Sequence, residues 1–216
     1  ELVRYGAVKA STNVSYPGAI VSRATINKRV DLATLRKVSR LLQANHATRI
    51  TGVLAATPNI GTKPVEASFL VFCHSDVEND FRDMAGFTTV AAYGSRKPIH
   101  PQELGTIENF RVICSPELAP YPSAGLTGAS GFSPPLLSSG SNLTDVYPII
   151  VCGENAWGQV ALRGEDSMDP TWIPPGQKTK SDPLGQRGFV GAKFYFNCTS
   201  LNDGWLAIIE AGVSAL

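Results

Sequence analysis

Two short apolar runs in the C-terminal third constrain this chain most: residues 146–152, Val-Tyr-Pro-Ile-Ile-Val-Cys, and residues 205–209, Trp-Leu-Ala-Ile-Ile. Each is too short for a buried helix and rich in β-branched and aromatic residues, the pattern of a strand covered on both faces. The surrounding stretches, 145–164 and 185–212, add further sticky β segments on either side of a Pro/Gly/Lys-rich gap and hold no catalytic grouping. Such a chain is built to be packed against.

Composition agrees. At 216 residues the chain can bury a core without metal or disulfide staples. Charged residues are 17%, below the roughly 25% of an average soluble domain, so less surface than usual is meant for water. A compact β-rich monomer and a lattice or oligomer subunit both fit this. The net charge of +1 hides a split: residues 1–50 hold nine Lys/Arg against Glu1 and Asp31, and the remainder holds ten against sixteen acids. That asymmetry suits one subunit's end meeting another's body, or a basic surface turned toward nucleic acid. Cys73, Cys114, Cys152 and Cys198 form no CxxC or metal-ligand pair and sit inside apolar segments, as reduced core cysteines do. Two disulfides in a secreted module are the alternative, encouraged by sequons at Asn13, Asn142 and Asn197. No apolar run approaches a membrane span.

Along the chain, residues 1–30 read as two extended segments and a turn with few apolar groups to bury. Residues 31–46 form a helix: Asp31 is a good N-cap, Leu32, Leu35, Val38, Leu41 and Leu42 fall on one half of the cylinder, and Arg36, Lys37 and Arg40 on the other. Residues 67–73 read as a strand. A short helix follows, with Ser75 and Glu78 at capping-box spacing and Val77, Phe81 and Met84 on one face. Residues 105–114 read as one more strand. Residues 115–144, nearly all Ser, Gly, Pro, Ala and Leu without periodicity, read as a surface excursion. Core candidates are Leu35, Val38, Leu42, Phe194 and Trp205.

A search for chemistry finds little. His46, His74 and His100 have no metal-site spacing, so neither metal nor cofactor is expected. Cys73 and His74 are adjacent on a strand and point to opposite faces, so they make no nucleophile–base pair. There is no GxSxG, P-loop or dinucleotide fingerprint. Asp76, Glu78, Asp80 and Asp83 complement the dipole of the short helix. The basic stretch 23–49 carries no Phe, Tyr or Trp, so any nucleic-acid contact is phosphate-directed and non-specific.

The two C-terminal stretches, together with Arg23-Ala-Thr-Ile-Asn-Lys-Arg-Val-Asp-Leu-Ala-Thr-Leu-Arg-Lys-Val-Ser-Arg-Leu-Leu, Ser68-Phe-Leu-Val-Phe-Cys-His-Ser-Asp-Val-Glu-Asn-Asp-Phe-Arg and His100-Pro-Gln-Glu-Leu-Gly-Thr-Ile-Glu-Asn-Phe-Arg-Val, resemble in content and order the major capsid protein of N4-type short-tailed phages, a family with the Hong Kong 97-type capsid fold. The blocks cover more than half the chain. Two features depart from the pattern: the chain starts at Glu1 without a Met, implying an absent or processed N-terminal arm, and Ser75 stands where the family more often shows Pro. The resemblance implies an α+β subunit with no enzymatic activity. It would self-assemble through pentamers and hexamers, in the host cytoplasm, into the icosahedral shell of a virion around double-stranded DNA. Scaffolding, portal or decoration proteins would be further partners, and a membrane would not. By resemblance, residues 1–30 would be an arm and loop-return strand laid across a neighbour, and 31–75 the peripheral-domain spine helix and strand. Residues 76–184 would be mainly an axial domain, and 185–216 strands returning to the peripheral domain. Arg36, Lys37 and Arg40 would face packaged DNA. An encapsulin-like compartment protein shares the fold and is the nearest alternative, ahead of the secreted module.

Overall fold

A computed structural model of the chain describes residues 13–52, 64–94, 96–133, 135–140, 142–160, 169–178, 180–193 and 197–215. Its strands are β1 (Val14–Ser15), β2 (Ile50–Gly52), β3 (Pro64–Cys73), β4 (Thr88–Thr89), β5 (Glu103–Ile107), β6 (Phe110–Cys114), β7 (Tyr147–Cys152), β8 (Trp157–Val160), β9 (Asp169–Ile173), β10 (Phe189–Lys193), β11 (Asn197–Ser200) and β12 (Leu206–Ala211). The α-helices are α1 (Leu32–Ala44) and α2 (Glu78–Arg82), so sheet dominates helix.

The two apolar runs become neighbours. β7 and β12 pair antiparallel, with Ile208 opposite Ile150 and Ile209 opposite Ile149, and all twelve of their residues are buried. Alternation sends Tyr147, Ile149, Val151, Ala207, Ile209 and Ala211 to one face of the sheet, where they join Leu35, Val38 and Leu42 of α1. Ile150, Cys152, Leu206 and Ile208 go to the other face and pack with Leu118 and Ala156. Each fully buried Ile or Val here contributes about 1.5–3 kcal/mol. The pair lies inside a mixed sheet of order β1-β12-β7-β3-β6-β5-β4, with β2 on β3.

α1 forms as its pattern dictates. Asp31 Oδ1 accepts from the Thr34 amide at 2.7 Å, satisfying an end amide of the helix, and Leu35, Val38 and Leu42 are fully buried. The short helix is built differently from its expected capping box: a 3-10 turn at Ser75–Val77 precedes α2, and the His74 ring, not Ser75, accepts from the Asp76 amide. Residues 105–114 are not one strand but a hairpin, β5 and β6, turned at Glu108 in the left-handed region (φ 48°).

Two expectations need correction. Residues 13–30 do not leave their own core: Val14 and Ser15 pair with Ile208 and Ile209, the Gly212 amide donates to Lys28 O, and Ile26 and Val30 are buried. Few apolar groups suffice because the segment closes the open edge of β12, and Arg23 Nε donates at 3.0 Å to Glu210, a carboxylate buried in that strand. Residues 1–12 lie outside the described residues. Nor is 115–144 a surface excursion. Leu118, Ala129 and Leu136 are buried, and backbone bonds run from Tyr121 to Val146, Gly125 to Thr144, Leu126 to Ile26 and Leu137 to Val213.

The compact units also run across the boundaries expected at residues 75/76 and 184/185. One unit comprises Glu1–Trp157 with Ser200–Leu216, and the other Gly158–Thr199. β5, β6 and β7, expected in an axial part, share a sheet with β3 and β12.

Candidate assembly surfaces

Among the described residues no three His, Cys, Asp or Glu side chains are grouped to hold a metal. His46 sits after α1 with φ 57°, His74 caps the turn at Asp76, and the His100 ring accepts from the Gln102 amide at 3.1 Å. Cys73 approaches the Cys114 sulfur rather than His74. The acidic cluster does more than complement a dipole. Asp80 is buried and accepts from the Ser214 amide at 3.1 Å and from Arg29 at 3.4 Å, tying α2 to both chain ends. No helix among the described residues is long and apolar enough to cross a membrane.

Two surfaces are the next candidates. Arg36, Lys37 and Arg40 are all exposed on the outer face of α1. Arg36 is held by Glu108 at the β5–β6 turn, with Nε to Oε1 at 2.9 Å, so its charge is largely matched within the subunit. Lys37 and Arg40 make no ion pair among the described residues and carry the face's available positive charge.

The second unit offers an apolar surface. β9 and β10 form a two-stranded antiparallel ribbon, Phe189 opposite Ile173 and Val190 opposite Trp172, and every residue of β10 is exposed. Val190 is 83% exposed, Leu184 75% and Trp172 69%. An isolated ribbon with its large apolar groups in water is marginal by itself and gains from being covered. The sequence reading had 185–212 as β segments but missed β9, although Trp172 standing in the Pro/Gly/Lys-rich gap was a visible signal: an aromatic is out of place in a solvated linker.

The core candidates divide. Leu35, Val38 and Leu42 lie in the main cluster. Trp205 is half-buried, in a 3-10 turn before β12 rather than in the strand; it packs on the second cluster and its Nε1 donates to Asn45 O at 2.9 Å. Phe194 lies outside the described residues. Glu103 and Arg111, both buried, also escaped the sequence reading; they pair at 3.1 Å, and Arg111 Nη1 donates to Lys97 O at 3.2 Å.

No family model matches the chain. The major capsid protein of Pseudomonas phage KPP21 is 21% identical over 226 residues, an alignment covering 97% of this chain and 56% of that protein. A chain from the head of Helicobacter pylori bacteriophage KHP40 superposes over 99% of this chain and 65% of its own length, with TM-score 0.55 and 16% identity. One from the capsid of Ralstonia phage GP4 superposes over 94% of this chain and 53% of its own length, with TM-score 0.61 and 14% identity. The fold is that of a phage capsid protein. The chain spans a little over half to about two thirds of the length of these relatives. Within the first unit, the alternation of β7 and β12 and the packing of α1 build the core, and the basic face of α1 is left exposed.

Proposed function

We propose that this chain is a phage major capsid protein of the Hong Kong 97-type fold, of the N4-type short-tailed kind, and that it self-assembles through pentamers and hexamers into an icosahedral shell enclosing double-stranded DNA. The observation that carries the reading is the likeness to a major capsid protein through 97% of the chain, joined to a capsid fold. The exposed Trp172, Leu184, Phe189 and Val190 support it, since subunits that bury modest apolar surfaces many times over turn weak pairwise contacts into a closed shell. Contacts around the rings are heterologous and must close by geometry. The subunit acts by packing, not by catalysis, and Lys37 and Arg40, with Arg36 tethered beside them, face the genome through phosphate contacts without base readout.

Light scattering and negative-stain microscopy of the expressed chain test this. Pentamers, hexamers or closed shells are expected. A strictly monomeric species at all concentrations, with scaffolding protein supplied, would overturn the proposal.

A further inference from the structure

Cys73 ends β3 and Cys114 ends β6, two parallel strands in register, so these residues sit side by side although 41 positions apart in the chain. In-register neighbours place their side chains on the same face, and the two sulfurs lie 3.3 Å apart. Adjacent strands are about 4.8 Å apart, inside the Cα separation of about 4.4–6.8 Å that a disulfide requires. Only the sulfurs need move, closing to about 2 Å by rotation about the Cα–Cβ bonds. Cys73 is fully buried in the main cluster, whereas Cys114 is at its edge and half-buried, so solvent reaches one member of the pair.

We propose that Cys73 and Cys114 are a modification site of hydroperoxide class: hydrogen peroxide converts the pair to a disulfide that ties β3 to β6 within one subunit. The Cys114 thiolate attacks one peroxide oxygen, the O–O bond breaks, and the departing hydroxide takes a proton to leave as water, giving Cys114 sulfenic acid. Cys73 then attacks the Cys114 sulfur, its proton goes to the leaving hydroxide, and a second water departs. Two thiols are oxidised, one peroxide is reduced to two waters, and the chain loses two hydrogens. The roles follow from position. Cys114 is the accessible attacker, and the bond from the Cys73 thiol, with Arg82 nearby, holds its thiol below the ordinary value against burial and Glu78. The bond to Cys114 and burial raise Cys73, which suits a resolving thiol that waits protonated.

The site does not depend on the capsid reading. It is tested on the folded full chain, reduced, then exposed to hydrogen peroxide, quenched with catalase, denatured, alkylated and mapped by mass spectrometry. Two of the four cysteines should escape alkylation, in a single cross-linked species joining Cys73 to Cys114 that thiol reductant restores. Cys114→Ser should leave Cys73 fully alkylatable after the same treatment, and Cys152→Ser should cross-link as the parent does. Recovery of Cys73 and Cys114 as thiols, over-oxidation of Cys114 without a cross-link, or a bridge involving Cys152 or Cys198 would each overturn the proposal.

Discussion

Replacing Glu103 by Gln removes one negative charge from a site closed to bulk solvent. The Glu103 and Arg111 side chains are 0% and 2% exposed. One carboxylate oxygen accepts from Arg111 Nη1 at 3.1 Å and from the Tyr93 hydroxyl at 2.5 Å; the other accepts from the Ile99 amide at 2.5 Å. Burial, then the bond to Glu103, pushes the Tyr93 phenol above its ordinary value, so at neutral pH it stays a donor. Three donors therefore converge on two acceptor oxygens. Glutamine has one acceptor oxygen and turns an NH2 toward at least one of those donors. It also leaves the Arg111 guanidinium without a counter-charge, and its Nε already lacks a partner among the described residues.

Breaking a buried pair on one side costs about 3–5 kcal/mol, a large share of the roughly 5–15 kcal/mol that holds a domain folded. Urea unfolding of the unassembled subunit, followed by tryptophan fluorescence, should show a midpoint lowered accordingly in Glu103→Gln. The decisive comparison is Glu103→Gln with Arg111→Met. Removing both charges removes the desolvation penalty with the attraction, so the double variant should be more stable than Glu103→Gln alone. A loss below about 1 kcal/mol in the single variant, or a double variant costing the sum of the two singles, would refute the account of this pair as a charge-compensated cluster.

Burial pushes the Cys152 thiol up to about 12 from 9.0, so it contributes stability that is fully present below pH 9 and is lost as pH rises toward 12; burial and the bond to Asp76 raise Tyr147 in the same sense. Denaturant midpoints should fall above pH 9, and Cys152→Ala should flatten that slope. A Cβ added at Gly125 would lie 2.9 Å from Thr144 Cβ, 3.0 Å from Thr144 O and 3.1 Å from Ile26 O. Since two of these are backbone atoms, Gly125→Ala should lower the melting temperature, at a cost of about 1–3 kcal/mol, and an unchanged melting curve would show that the 115–144 segment adapts freely. Replacing Arg36, Lys37 and Arg40 together by Gln should leave the unfolding midpoint nearly unchanged, because exposed charges contribute about 0–1 kcal/mol each. Particles of that variant should hold less DNA, measured by absorbance ratio at normal particle shape; undiminished content would remove the helix from the inner surface.

What the sequence disclosed and what it hid follow from the range of the interactions involved. β7 and β12 were legible because a strand buried on both faces must be apolar at every position, and α1 because its apolar stripe and Asp31 cap are local. The β5–β6 turn was not, since Glu108-Asn109 lacks the glycine that marks most two-residue hairpin turns. Residues 13–30 and 115–144 were misread for one reason. Their order comes from main-chain bonds to distant strands, such as Ile208 to Asn13 and Val213 to Leu137, and main-chain bonds impose no side-chain periodicity. Arg111 and Glu103 look like surface charges in any one-dimensional reading, yet they are among the most buried groups in the molecule. The ribbon of β9 and β10 is the converse case, apolar residues where burial within the chain is not provided. A fold that buries Glu103 against Arg111 while leaving Trp172 and Val190 in water has a hydrophobic contact still to make, and under the proposed capsid function a second copy of the chain would make it.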